Sequence, residues 1–389
     1  MVILNLKLNH ILGFDDFEVC FSYPRKLGKS LIEGENLSSV PSFRYKKLNI
    51  FVGSNATGKT SLLKCISSIL DFLKTSEKGC IRNIVNPFFD SSDISVDFVS
   101  HSGKKDILHR MKIRTVNNKS QDFSIHVSHA FLELKQNDSY EKVMPTLNQI
   151  PDDYQDYLQV LSADERLSNQ WHMLLPAMEE AFDCVSFQKP TSSAEAQEYL
   201  KILNAVLKTL DSSVREVNFS LDSDDAIVIN HENDEKIIVQ AGTRLTDIRR
   251  LSSGTKYGIN LANIVYAIKY HLNGIYLIDE QFSYISSDIE VALLSTMVAL
   301  LGDDEQIFFT THNQNILSLG FPFHSFYFLR KDMEGERRSI RISCASEMEN
   351  RNNVSPYNMY ENDVFSSSAD VSRIYDIVEE ADKKDCGHK

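Results

Sequence analysis

Eight consecutive residues, Gly53-Ser-Asn-Ala-Thr-Gly58-Lys59-Thr60, constrain this chain more tightly than any other stretch. They follow Leu48-Asn-Ile-Phe-Val52, an apolar run of strand length. They precede a segment that sets Leu63, Ile66 and Leu70 along one helical stripe. A buried strand, a glycine-rich turn and an amphipathic helix form the context in which G-x-x-x-x-G-K-[ST] cradles phosphate. Glycines let the backbone curl until its N–H groups face phosphate oxygens, and the helix N-terminus adds partial positive charge. Lys59 neutralises phosphate charge, and the Thr60 hydroxyl ligates Mg²⁺. The candidate nucleotide-binding residues are therefore Gly53, Ser54, Asn55, Ala56, Thr57, Gly58, Lys59, Thr60 and the adjoining Ser61.

Three further stretches belong with this loop. Ile275-Tyr-Leu-Ile-Asp279-Glu280 is an apolar strand ending in two acids, and ligands of open α/β sheets sit at that end. Asp279 is expected to hold Mg²⁺, through its water, and Glu280 to orient or polarise an attacking water. Leu251-Ser252-Ser253-Gly254-Thr255 lies 24 residues before Asp279 and opens a helix with Leu261, Ile264, Val265 and Ile268 on one face. Taken alone, this start is ordinary helix capping by serine or threonine. Gln306-Ile-Phe-Phe-Thr-Thr-His312 is a strand ending in a histidine, about thirty residues beyond the acidic pair.

Charge and cysteine usage narrow the alternatives. A net charge of −13 argues against a surface generally adhesive to DNA, because phosphate binding rests on clustered Lys and Arg. Local basic stretches remain at Lys104, Lys105, Arg110, Lys112 and Arg114, and at Arg244, Arg249 and Arg250, and these read first as solvated faces. The six cysteines lie far apart with no C-x-x-C pair, so buried or incidental thiols are expected rather than zinc or disulfides. No apolar run is long enough for a bilayer, and Met1-Val-Ile-Leu-Asn-Leu-Lys alternates like a strand instead of opening a signal peptide. The expected compartment is the cytoplasm, without membrane contact.

Elsewhere the patterning is legible at low resolution. Residues 2–8 and 17–21 alternate as strands, and further strands are expected within 94–135, with a hairpin turn at Ser-Gly-Lys-Lys 102–105. From 150 to about 210 the chain reads as helical, with a loop at 186–194. Ser192-x-x-Glu195 is a capping box, and the helix after it places Tyr199, Leu203, Val206 and Leu210 on one face, for a core or a short arm. Strands resume at 217–221, 226–230 and 236–240.

The set of motifs resembles the ATPase heads of the RecF, SMC and OLD branch of the ABC superfamily, including bacterial AAA-type ATP-binding proteins. The likeness covers residues 1–75 and 240–330 well, the middle loosely, and the tail weakly, through Ser355-Pro-Tyr-Asn-Met-Tyr360 to Phe365. Leu-Ser-Ser-Gly-Thr is similar to the ABC signature, with Ser253 and Thr255 departing from the usual Leu-Ser-Gly-Gly-Gln.

The resemblance implies an α/β fold: a P-loop NTPase ABC-type head with a mixed sheet, flanking helices and an antiparallel β-subdomain, plus a helical insertion. The corresponding division is 1–149 and 213–345 for the two parts of the head, 150–212 for a helical insertion or arm, and 346–389 for a tail. It further implies that Ser252, Ser253 and Gly254 bind the γ-phosphate of ATP held on another subunit. His312 would sense that γ-phosphate, and Ser283–Asp288 would cross the interface of a homodimer or higher oligomer. ATP and Mg²⁺ are the implied cofactors. Compact ATPases of this branch, PtuA and AriA among them, act in anti-phage or prophage defence beside a separately encoded nuclease or toxin. Fewer than eighty residues follow His312, too few for a TOPRIM nuclease domain, so an effector is expected on a separate chain. Two other readings stay open: a RecF/SMC-like ATPase that binds DNA in repair or maintenance, and a non-hydrolysing scaffold with structural ATP. Transporter subunits are a poorer match.

Overall fold

In β3 (Leu48–Val52), β12 (Ile275–Asp279) and β13 (Gln306–Thr311) every residue is buried, and a parallel sheet covered on both faces demands such near-continuous apolar runs. The computed structural model describes residues 1–23, 32–102, 105–117, 123–163, 173–174, 192–222, 226–243, 249–279, 285–334, 337–348 and 355–365. Among them the three buried strands form the middle of a six-stranded sheet in the order β15-β14-β3-β13-β12-β8. The contacts from β14 (Phe326–Glu334) through β3, β13 and β12 to β8 (Met173–Leu174) are parallel. The outer β15 (Arg337–Cys344) is an antiparallel hairpin partner of β14. The protein is thus a mixed α/β molecule.

Alternation of side chains along these strands divides the interior. Phe51, Ile275, Leu277 and Phe308 face α1 (Lys59–Thr75), whose Leu63, Ile66 and Leu70 are buried as the stripe predicts. The same core takes in an antiparallel six-stranded sheet of order β2-β1-β4-β5-β6-β7. Its strands are β1 (Val2–Asn9), β2 (Phe17–Cys20), β4 (Ser91–Ser102), β5 (Lys105–Asn117), β6 (Phe123–Glu133) and the two-residue β7 (Gln155–Asp156). Ser102 pairs with Lys105, so the expected hairpin is present; its tip, 103–104, lies outside the described residues. The short α2 (Lys78–Arg82) and α4 (Tyr157–Ala163) border this core through Ile81, Tyr157 and Leu161. The far face of the antiparallel sheet is covered by Phe43, Tyr45 and α3 (Tyr140–Gln149).

Ile50, Val52, Tyr276, Ile278, Ile307 and Phe309 point the other way, into a core closed by α5 (Ser193–Leu210), α6 (Ser253–Lys269) and α7 (Ser287–Leu300). The N-cap bond of the expected capping box is present at the start of α5: the Ser192 hydroxyl accepts the Glu195 N–H at 3.2 Å. Tyr199, Leu203 and Val206 are buried against α6, so this face is a core face. Gly258 makes the approach of the two helices possible, since a Cβ there would lie 2.6 Å from both Leu207 and Leu210.

Of the span 150–212, the described parts are therefore two very short strands that edge the two large sheets, α4 and α5. A three-stranded antiparallel sheet of β9 (Val214–Phe219), β10 (Ala226–His231) and β11 (Lys236–Gln240) follows. After β15, α8 (Ala345–Met348) and α9 (Pro356–Glu361) lead to Phe365, whose ring stacks 3.6 Å from that of Phe328. Among the described residues no helix is long and apolar enough to cross a membrane.

Candidate functional site

Strand order does most of the work of assembling the site. β13 lies between β3 and β12, all parallel, with Val52 level with Thr311 and Asp279 level with Thr310. The residues that follow or end these strands, Gly53, His312 and Asp279, therefore emerge along one edge of the sheet. That carboxyl edge is where open parallel sheets hold ligands.

The loop at 53–58 curls through left-handed backbone. Ala56 and Gly58 both adopt left-handed conformations, with φ of 60° and 101°. Gly58 also lies under Ile340, whose Cδ1 would be 2.6 Å from an added Cβ, so both conformation and space select glycine. Thr57 Oγ1 donates to Ser54 O at 2.9 Å and tightens the turn. Lys59 is 3% exposed, and its Nζ donates to Gly53 O at 2.8 Å and Ser54 O at 3.1 Å. The same Nζ lies 3.4 Å from His312 Nδ1, which joins the ends of β3 and β13. The two carbonyls orient the ammonium within the loop. A cleft of about 410 Å³ opens here, lined by Ala56, Gly58, Lys59, Thr60 and Ser61, with Gly13, Lys331 and Ile340 opposite.

Asp279 is buried, and its Oδ1 accepts from Thr310 Oγ1 at 2.6 Å and Thr60 Oγ1 at 3.2 Å. One neutral and one anionic oxygen donor at that separation suit a Mg²⁺ ion, which either touches both or reaches the acid through a water. The donor set expected from sequence therefore fits the metal. Glu280, the expected water-orienting residue, lies outside the described residues, as does the 283–284 part of the expected interface-crossing stretch.

The start of α6 stands apart from this group. Ser252 is its N-cap and accepts the Thr255 N–H at 3.1 Å. Its hydroxyl also lies 2.7 Å from Thr255 Oγ1 and 3.3 Å from Asp211 Oδ2, and Thr255 Oγ1 donates to that same carboxylate oxygen at 2.8 Å. Ser253 and Gly254 begin the first turn. Burial pushes the Asp211 carboxyl upward, but bonds from Ser213, Thr255 and Ser252 outweigh it and hold the group below the usual carboxylate range. In this chain by itself, residues 252–254 display helix capping, and no hydrogen bond joins them to the P-loop among the described residues.

The basic stretch on β5 is neutralised. Lys105 pairs with Glu133 at 2.8 Å, Arg110 with Asp97 at 2.6 Å, Lys112 with Asp152 at 2.7 Å and Arg114 with Asp93 at 2.8 Å. Arg250 reaches Glu235 at 3.3 Å and Arg249 is exposed. Lys104 and Arg244 lie outside the described residues.

Several residues at the site are given no role by the motifs: Thr310 on Asp279, Lys331 and Ile340 across the cleft, and Glu290 on the residues flanking His312. The two threonines that end the apolar run of β13 are the only sequence signal for the first of these. The others arrive from elements distant in sequence.

The sequence matches no protein-family model and no curated protein. Solved structures with a similar course of chain include an SMC head bound to the C-terminal winged-helix domain of ScpA. It is 10% identical, with 90% of this chain and 100% of that one covered and a TM-score of 0.48. The SMC head domain from Thermotoga maritima is 12% identical, with 87% and 98% covered and a TM-score of 0.40. A Smc head domain with an extended coiled coil, bound to the C-terminal domain of ScpA and derived from Pyrococcus furiosus, is 9% identical, with 89% and 97% covered and a TM-score of 0.47.

Proposed function

We propose that this protein is an ATP-binding and ATP-hydrolysing head of ABC type, of the RecF/SMC/OLD kind. The observation that carries the reading is the meeting of Lys59, His312, Thr60 and Asp279 at the adjacent carboxyl ends of β3, β13 and β12. In this reading the P-loop N–H groups and Lys59 bind the phosphate tail, and Thr60 with Asp279 holds Mg²⁺. The metal, when bound, screens phosphate charge and polarises the terminal phosphoryl group. His312 faces that phosphate beside Lys59, and Glu280 orients water for in-line attack. Ser252 to Gly254 complete the site of a second copy, which makes the nucleotide a ligand of the closed dimer and so a driver of closure. The output is control of a separately encoded partner, a nuclease or toxin of a defence system; this part of the proposal is supported by the motif resemblance.

Phosphate release by the purified protein, compared with Lys59→Ala, tests the enzyme. Turnover in the wild type and background release in the variant are expected, and equal release by the two overturns hydrolysis at this site. Glu280→Gln is expected to retain ATP and accumulate as dimer on gel filtration. A monomer with bound ATP would remove the composite site.

A further inference from the structure

We infer that Glu290 is the positioning residue for His312, through a pair of hydrogen bonds that hold the residues on either side of it to the first turn of α7. The inference rests on the nucleotide reading above, and it assigns to the site a residue that no motif contains. Glu290 is 4% exposed and lies one turn into α7, where its N–H bonds Ser286 O at 3.1 Å. Its Oε1 accepts from Thr311 Oγ1 at 2.7 Å and its Oε2 from Asn313 Nδ2 at 2.6 Å. Those donors flank His312 directly, so one carboxylate grips the strand end on both sides of the imidazole.

The surrounding bonds leave the grip no alternative arrangement. Asn313 Oδ1 accepts the Asn315 N–H at 3.0 Å and caps the 3₁₀ turn Gln314–Ser318, which obliges its NH₂ to face Glu290. Thr311 Oγ1 accepts the Asn313 N–H at 2.9 Å, so its own proton is the one given to Glu290. Burial pushes the Glu290 carboxyl up, opposed by the bonds from Thr311 and Asn313 and by the nearby charge of His312. A buried acid is an expensive way to hold a loop that apolar packing could hold, which is expected where placement of a neighbour matters more than stability. Glu290 thereby ties the residues beside His312 to the helix that starts just beyond Ser286.

The orientation of the amide supplies a test by reversal. In Glu290→Gln a donor replaces one of the two acceptors, and in Asn313→Asp two carboxylates face each other. In the double variant the amide introduced at position 290 can donate to the carboxylate introduced at position 313, which still caps Asn315. The oxygen of that amide remains an acceptor for Thr311. With the full-length protein, kcat and KM for ATP are measured together with ATP and ADP affinities by calorimetry. Each single variant is expected to lose about 100-fold in kcat and to lose preference for ATP over ADP, with ADP affinity unchanged. The double variant is expected to regain about tenfold. Wild-type kcat and ATP preference in both single variants overturn the inference alone. Loss of ADP affinity in step with kcat, with no recovery in the double variant, also overturns it, since that describes a merely structural role. A wild-type protein that binds neither nucleotide overturns the site reading, and this inference with it.

Discussion

At the P-loop, Lys59 donates to the neutral carbonyls of Gly53 and Ser54; at the start of α6, Ser252 and Thr255 share the carboxylate of Asp211. Both are helix N-termini preceded by small polar residues, and both are candidates for phosphate. The difference lies in the charge of these acceptors. At the first corner the lysine donates to backbone oxygens, and the carboxylate that meets this helix start, Asp279 on Thr60 Oγ1, is the acid proposed to hold Mg²⁺. The second has its helix dipole and hydroxyls engaged by an acid of the same chain, so a phosphate arriving there meets a like charge. The comparison predicts a division of labour, in which the P-loop binds nucleotide in a single chain while the α6 corner joins only when closure brings compensation.

The strongest blow to that picture is dealt at Lys59. Lys59→Ala removes charge-assisted bonds worth roughly 3 kcal/mol, so calorimetry is expected to show ATP affinity lower by about 100-fold. Affinity within about twofold of wild type would mean that the P-loop is not the primary corner. Next in size is Gly258→Ala, which forces a methyl into the α5–α6 contact beside Leu207 and Leu210. Urea unfolding is expected to show a loss of about 1–3 kcal/mol with ADP affinity intact. A parallel fall in ADP affinity would show that the two corners are not independent.

The smallest effect is expected from Asp211→Asn, which relieves the like charge beside the phosphate. Sedimentation in a Glu280→Gln background is expected to show ATP-dependent self-association tighter by about fivefold, and weaker association would reverse the assigned role of Asp211. Acid sharpens the same point. Asp211 titrates below its ordinary 3.8, so its contribution to stability is present at neutral pH and disappears as pH falls through the folded value. Melting curves of the wild type and Asp211→Asn should accordingly converge in strong acid, and a gap that widens there contradicts the hydrogen-bond network.

What can be read from sequence follows from how local each feature is. The P-loop announces itself because its donors are contiguous and its sterics admit few residue types at Gly58, Lys59 and Thr60. Asp279 is legible because a fully buried strand has to be apolar until it reaches the edge. Ion pairs such as Arg110–Asp97 and Arg114–Asp93 are cross-strand neighbours, so the neutralised basic stretch depends on a register that alternation alone leaves open. Glu290 is hidden for another reason. α7 is apolar around most of its circumference, Ser287–Leu300 reading SDIEVALLSTMVAL, and no stripe indicates that this acid faces inward. Strands of two residues, Gln155–Asp156 and Met173–Leu174, are too short for any period, and the helical reading of 150–210 passes over them.

The insertion of β13 between β3 and β12 has a dimensional consequence. Neighbouring strands stand about 4.8 Å apart, so the lysine-bearing loop and the acid strand are set roughly 10 Å from each other by backbone ladders that side-chain substitution does not stretch. Side chains bridge that spacing, since Thr60 Oγ1 reaches Asp279 Oδ1 at 3.2 Å, and His312 follows the middle strand between them. The spacing of the site is thereby set by the weave of the sheet itself, a standard that every copy of the protein carries in identical form.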